Sequence, residues 1–379
     1  MMKIGYDAKR IVRNATGLGA YGRTLVNDMA RKGGDVELRL YAPDKGRDEL
    51  RSQVQEGPHV KYVYPEGLLF GFERSLWRTG AIVKDLKRDG IDIFHGLTGE
   101  LPRGLRKSGV RGVVTIHDLI FMRHPEYYHW IDARLYAWKF RYTCREAQRI
   151  IAISECTKRD VMELGGVSED KIDVIYQSCN PRYAQRPADD ELHRVRLLYG
   201  LPQRFVLNVG SIEERKNVLL AVRALQRLPE EVGLVVVGKH TSYTNRVLSY
   251  IEEQGLTRRV RIIHGMGDAD LQAVYHLAEA FVYPSRYEGF GIPIIEAIHS
   301  GLPVVACTGS CLEEAGGPDS LYVGPDDEEA MAAALHRVLR GAEGREGRIE
   351  RSRRYVERFE GLDVASQVVD VYRRMMDGR

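Results

Sequence analysis

Residues 280–307, AFVYPSRYEGFGIPIIEAIHSGLPVVAC, read as strand, loop, helix, turn, strand. No other stretch constrains the fold as strongly. Two buried strands joined through a helix must run parallel, and the crossover between them is right-handed. Pro284 ends the first apolar run. Glu288-Gly289-Phe290-Gly291 is a loop, because two glycines around one aromatic favour special backbone dihedrals. Pro293 suits the first turn of a helix, where its missing N–H costs nothing. The helix stops at Gly301, and residues 302–307 form the second strand.

The same alternation runs along the chain. Strands are expected near residues 3–6, 36–42, 60–64, 91–95, 113–117, 150–154 and 172–175, with helical patterns between most of them, including 20–31, ending at Gly33-Gly34, and 73–88. After Pro181 the pattern restarts, with strands near 205–209, 234–237, 261–264, 281–283, 304–307 and 321–323. This order predicts an α/β protein with two doubly wound parallel sheets. A chain of 379 residues is too long for one core and fits two. The domains are placed at 1–182 and 200–361. The polar stretch 183–199, within a segment holding Pro181, Pro187 and Pro202, is expected as the linker. A last helix over residues 362–376 has Val364, Val368, Val371, Tyr372 and Met375 at helical spacing.

No apolar run reaches the roughly 18 residues of a membrane span. The start MMKIGYDAKR enters a strand without a signal-peptide core, and five cysteines, an odd number, point to reduced thiols in a cytoplasmic protein. Residues 1–182 carry 31 Lys/Arg against 24 Asp/Glu, and the remainder 25 against 29. A basic first half suits an anionic lipid surface, or a chance imbalance on solvated faces. No nucleic-acid motif accompanies it. The rings Tyr127, Tyr128, Trp130, Tyr136, Trp138, Phe140 and Tyr142 are interleaved with Arg134, Lys139, Arg141 and Arg145. They suit a membrane- or acceptor-facing helix, with about half of them expected in the core.

Several residues carry candidate chemistry. The amides of Gly289, Phe290, Gly291 and Ile292 precede a helix N-terminus, which favours an anion or sugar hydroxyls. Glu288 lies before that turn and Glu296 one turn inside it; a carboxylate suits a vicinal diol. Two solvated glutamates are the plainer alternative. Arg215 and Lys216 open a helix pattern after a strand, where fixed cations neutralise a diphosphate. His117, followed by Asp118, is expected to be exposed at a strand's carboxyl end, where active sites of open α/β sheets collect. Gly17, Gly19 and Gly22 match a dinucleotide fingerprint. The long loop from Asp7 to Gly17, and the lack of an acid at Tyr41-Ala42-Pro43 where strand two ends, weigh against a nicotinamide enzyme. Asp268-Ala269-Asp270 reads as an acidic helix start and Cys307 and Cys311 as ordinary thiols, so no metal is expected.

Glu288 and Glu296 enclose seven residues containing Gly-Phe-Gly and Pro. This resembles the Glu-x7-Glu signature of the retaining GT-B glycosyltransferases, family 4, and bacterial O-antigen mannosyltransferases among them. The resemblance covers nearly the whole chain. It implies two Rossmann-like domains facing a cleft, with the last helix returning to the first domain. It also implies that Glu288 touches the donor sugar, Glu296 the ribose, and Lys216 and Arg215 the leaving diphosphate. Gly17 and Gly19 would face the pyrophosphate, Gly265-Met266 the nucleobase, and His117 the donor sugar from the acceptor side. Many members place an arginine where Ser211 stands here. The implied activity is front-face transfer of a hexose, GDP-mannose being the favoured donor, to a hydroxyl of a surface-polysaccharide or lipid-linked glycan. The nucleotide sugar is a substrate, and no cofactor is implied. A sugar-nucleotide epimerase of the same fold and a non-catalytic binding subunit are the alternatives. The expected location is the cytoplasm, at the inner face of the membrane if the first domain contacts lipid.

Overall fold

The computed structural model of the chain describes residues 1–32, 36–67 and 70–378. The helix end expected at Gly33-Gly34 lies outside the described residues. Among the described residues, thirteen strands form two all-parallel sheets, and each expected strand is found within a few residues of its place. The chain divides into two units, residues 1–176 with 363–379, and residues 177–362.

In the first unit the strands are β1 Met2–Asp7, β2 Val36–Tyr41, β3 Val60–Val63, β4 Ile93–Gly96, β5 Arg111–Ile116, β6 Arg149–Ala152 and β7 Ile172–Val174. Their spatial order is β3-β2-β1-β4-β5-β6-β7. The order reverses between β1 and β4, and such a switch point opens a crevice at the carboxyl ends of the strands. Both faces of the sheet are covered. Ile93, Val113 and Ile151 enter one core, while their neighbours Phe94, Val114 and Ile150 enter the other, as a period of two requires. Helix Val364–Met376 completes the first core, burying Val368, Val371, Tyr372 and Met375. The Tyr372 hydroxyl lies 2.9 Å from that of Tyr6 and 2.6 Å from His95 Nδ1, and His95 Nε2 lies 2.8 Å from Thr115 Oγ1. Burial holds His95 neutral, with its pKa pushed down to about 3.

The second unit has β8 Arg204–Val209, β9 Val232–Val237, β10 Val260–Ile263, β11 Ala280–Tyr283, β12 Val304–Cys307 and β13 Leu321–Val323, in the order β10-β9-β8-β11-β12-β13. The switch point here lies between β8 and β11. Helix Val218–Leu225 is almost wholly apolar and buried against this sheet.

Three boundaries differ from expectation. The stretch 183–199 is not an open linker. It contains helix Asp189–Leu198, with three acids in its first turn and Leu192 and Val195 buried, and it clusters with the second unit. The glycines Gly17 and Gly19 stand inside the first turns of helix Gly17–Lys32, not in a preceding loop. The helical pattern at 73–88 is broken by a π-helical turn, Trp77–Ala81, between helices Gly71–Leu76 and Ile82–Arg88. Among the described residues, no helix is long and apolar enough to cross a membrane.

Candidate functional site

The loops after β8 and β11 start from neighbouring strands, so their side chains converge. A 3-10 turn, Glu214–Lys216, follows β8. It ends at Asn217, which adopts a left-handed φ of 54° and ties its amide to the Pro325 carbonyl at 2.7 Å. Helix Val218–Leu225 begins only after that residue, so Arg215 and Lys216 precede the helix and do not open it. The backbone is fastened across the gap, with the Arg286 amide donating to the Arg215 carbonyl at 2.9 Å.

Both cations meet one carboxylate. Arg215 Nη1 lies 2.9 Å and Lys216 Nζ 2.5 Å from Glu288 Oε1. Arg215 also donates to the Tyr287 carbonyl at 2.7 Å, and Lys216 to the Tyr283 hydroxyl at 2.8 Å. Glu288 is buried. Burial pushes its carboxyl up, but Lys216 and then Arg215 pull it down further, to below the usual range. Burial likewise opposes the charge on Lys216, and Glu288 more than restores it. Arg215 Nη2 also lies 3.5 Å from Glu213 Oε2, so two carboxylates balance the two cations, the half-exposed Glu213 being the weaker partner.

The next turn is shaped by Gly291. Its φ of 103° is open to glycine and rarely to other residues, and an added Cβ would meet Leu312 at 3.1 Å. Gly291 caps helix Ile292–His299, which has Pro293 in its first turn, as the sequence predicts. Phe290 is buried edge-on against Phe359, anchoring the Gly289–Gly291 turn. One turn into the helix, Glu296 accepts from the Tyr275 hydroxyl at 2.9 Å. Burial raises its pKa to about 7. Met266 is half-buried after β10, directly ahead of helix Asp268–Leu277. Ser211 donates to Glu213 at 2.6 Å. Asp268 and Asp270 open their helix as expected, and Asp270 accepts from Tyr199 at 2.6 Å and pairs with Arg194. Cys307 and Cys311 are buried thiols, Cys311 lying 3.1 Å from the Glu288 carbonyl.

In the first unit His117 follows β5. It is half-buried, where an exposed ring was expected. Its Nε2 lies 2.9 Å from the Leu97 carbonyl, which can only accept, so Nε2 carries the proton and Nδ1 is the acceptor nitrogen. Burial pushes its pKa down to about 4. Tyr21 packs edge-on against the ring at 4.9 Å. Asp118 caps the Ile120 amide at 3.2 Å. Gly19 allows a close turn, since a Cβ there would lie 1.9 Å from the Asn14 carbonyl oxygen. Nothing lies within 4 Å of a Cβ at Gly17.

His117 and Asp118 line a cavity of about 300 Å³, together with Arg10, Phe121, Tyr136 and Lys139. Beside it lies a second cavity of about 240 Å³, walled by Leu76, Leu135 and Trp138. Glu100 and Lys139 line both, and pair at 3.2 Å. Arg78 bridges Glu100 to Asp7, with Nε 3.0 Å from each Asp7 oxygen. Burial raises the Glu100 carboxyl, but Arg78 and Lys139 outweigh it and hold its pKa at about 2. Sequence reasoning missed this chain of charges, and it missed Tyr283 and Tyr275. The available signal was position: Asp7 ends β1 and Glu100 follows β4, at the switch point.

Two family models match in tandem, Glycosyltransferase Family 4 over residues 15–182 and Glycosyl transferases group 1 over residues 189–355. An O-antigen chain mannosyltransferase B of Escherichia coli is 28% identical, with 98% of this chain and all of that protein aligned. The O-antigen chain mannosyltransferase RfbU of Salmonella typhimurium is 26% identical over 68% of this chain and 67% of its own length. Among solved structures, sucrose-phosphate synthase of Thermosynechococcus elongatus superposes with a TM-score of 0.80 at 21% identity, over the full length of both chains. Anabaena HepE, solved with UDP and glucose, superposes with a TM-score of 0.74 at 18% identity, over 98% of this chain and 99% of its own. These two share the fold, which is GT-B.

Proposed function

Because the chain belongs to the family 4 glycosyltransferases, we propose that it transfers a hexose, with retention of anomeric configuration, from a nucleotide diphosphate sugar to a glycan hydroxyl. The observation that carries this reading is the cluster of Lys216 and Arg215 on Glu288, beside the Gly289–Gly291 turn and the N-terminus of helix Ile292–His299. A diphosphate leaving group gains negative charge as the glycosidic bond breaks. Fixed cations and a helix dipole already in place stabilise that charge without reorganising. Glu288 holds both cations in register and offers its carboxylate to sugar hydroxyls. Glu296 takes the ribose diol, and the turn at Met266 the base. The neutral His117 presents an acceptor nitrogen to a sugar hydroxyl. The leaving phosphate takes the acceptor proton, and no metal or cofactor takes part.

GDP-mannose is the favoured donor, because two O-antigen mannosyltransferases are among the relatives. A growing polysaccharide or lipid-linked glycan is the favoured acceptor. The first unit supports peripheral contact with an anionic membrane. Helix Trp130–Glu146 exposes Trp130, Ile131, Arg134, Arg141 and Arg145, and Phe70 and Phe72 are exposed in the same unit. Rings that insert and cations that pair with lipid phosphates act together there.

The test is turnover of a panel of nucleotide sugars with and without glycan acceptors, with the product anomer read by NMR. Acceptor-dependent release of GDP and an α-linked product are expected from GDP-mannose. Acceptor-independent formation of an epimer would mean an epimerase, and tight donor binding without turnover a binding subunit. Vesicle sedimentation tests the membrane contact. Binding to anionic but not neutral lipid, weakened by salt, is expected, and absence from both pellets would sink it.

A further inference from the structure

We propose that the cavity behind the Glu100–Lys139 ion pair is a second sugar subsite, seating the residue next to the accepting sugar of an oligosaccharide. This rests on the reading that the cavity beside His117 receives the accepting sugar. The two cavities share Glu100 and Lys139 as their partition, so they lie one ion pair apart.

The chemistry of the second cavity selects its occupant. One wall is the Trp138 ring, 43% exposed and lying nearly parallel to Tyr142. The Arg103 guanidinium sits 4.6 Å over the Trp138 ring centre. The opposing groups are Asp7, Arg78 and Glu100, already neutralised among themselves and with Lys139. A pyranose ring matches both walls, since its C–H groups pack against Leu76, Leu135 and Trp138 while its hydroxyls donate to carboxylates and accept from guanidinium and ammonium groups. An alkyl chain would leave those charged groups without hydrogen-bond partners from the ligand. A phosphate would have to displace Asp7 and Glu100 from Arg78 and Lys139, which they already hold. A neutral, hydroxyl-bearing ring is the ligand that neither objection touches. The site is also built firmly. Arg78 is set in the π-helical turn Trp77–Ala81, a distortion often found at functional sites, and Asp7 ends β1 at the switch point.

The experiment compares methyl mannoside with a set of methyl mannobiosides of differing linkage, on the full chain. Saturation-transfer NMR reports which sugar ring touches the protein, and turnover with GDP-mannose is read in parallel. In the wild type both rings of at least one mannobioside should be saturated, and that compound should be the better acceptor. Trp138→Ala, and separately Leu135→Trp, which fills the cavity, should lower kcat/KM for that mannobioside about tenfold while holding methyl mannoside within about twofold. Trp138→Phe should recover most of the loss. Equal losses on both acceptors, no loss on either, or no saturation of the second ring would overturn the subsite. If both rings are saturated and the second signal vanishes in the variants, yet no hexose is transferred from any nucleotide sugar, the subsite stands and the transferase reading falls.

Discussion

The two units share the order of their first six strands and the same switch point, the first unit adding β7 at its edge, yet they load that point differently. Between β8 and β11 the second unit concentrates unlike charges on a single oxygen, Glu288 Oε1, with Lys216 at 2.5 Å and Arg215 at 2.9 Å. Between β1 and β4 the first unit spreads Asp7, Arg78, Glu100 and Lys139 into a neutral chain along two cavities, and keeps His95 and His117 uncharged. Two cations gathered on one buried oxygen stand ready to turn to an anion, whereas charges paired along a chain offer hydrogen bonds. The same topology thus gives one crevice suited to a diphosphate and one suited to neutral hydroxyls. The difference lies in which side chains stand at and beyond the carboxyl ends of the strands: Asp7, Arg78, Glu100 and Lys139 in one unit, Arg215, Lys216 and Glu288 in the other.

The sharpest way to break this contrast is to remove its strongest charge. Lys216→Ala should reduce kcat by about 10²–10³-fold, as loss of a donor to a developing anion does. Initial rates at saturating donor would show it, and a change confined to KM would move Lys216 from catalysis to binding. Next in size, Glu296→Ala should weaken nucleoside diphosphate binding by about 1.5–3 kcal/mol, the value of hydrogen bonds to a charged group. Calorimetry with GDP measures it, and an unchanged Kd would remove Glu296 from the ribose.

The raised pKa of Glu296, about 7, adds a pH dependence. A diol donates to the ionised form, so binding should release a proton and tighten as pH rises through that value, by at most about tenfold per unit. Glu296→Gln should flatten the profile, and equal slopes in both proteins would refute the assignment. For stability the sign in the first unit is set by His117, whose folded pKa of about 4 lies below its ordinary 6.5. The folded state keeps it neutral while the unfolded chain takes up a proton. Its contribution is therefore complete above the ordinary value and is lost as pH falls toward 4. His117→Asn should make the melting temperature less sensitive to pH across that window. The smallest expected effect is none: a chelator should leave the transfer rate within about twofold, because fixed cations stand where a metal would. Loss of activity restored by magnesium would reopen the role of Asp268 and Asp270.

Much of this was legible in the chain. Strands of a buried parallel sheet are short apolar runs, and β9 or β11 can hardly be read otherwise. Gly291 and Pro293 mark a helix start through local backbone preference alone. What escaped depends on partners far away in sequence. Helix Asp189–Leu198 buries only Leu192 and Val195 and leaves Leu197 and Leu198 exposed, so its pattern is faint until helix Asp268–Leu277 packs on it. Gly17 and Gly19 have poor helix propensity, and Gly19 is explained only by the Asn14 carbonyl beside it. Asp7, Arg78 and Glu100 are scattered charges in the sequence, and only the switch point gathers them. Likewise no spacing rule joins Tyr283 to Lys216 or Tyr275 to Glu296.

The closing helix has a consequence for the order of events at the ribosome. The strands of the first unit are translated before the second unit, but their core lacks Val368, Val371, Tyr372 and Met375 until helix Val364–Met376 appears. Until then the rings of Tyr6 and His95 face a gap where the Tyr372 hydroxyl will sit. Residues 177–362 emerge as an uninterrupted block and can fold while the earlier segment waits. The unit begun first is therefore finished last, and a nascent chain stalled short of Tyr372 would hold a complete second unit beside an unsealed first one.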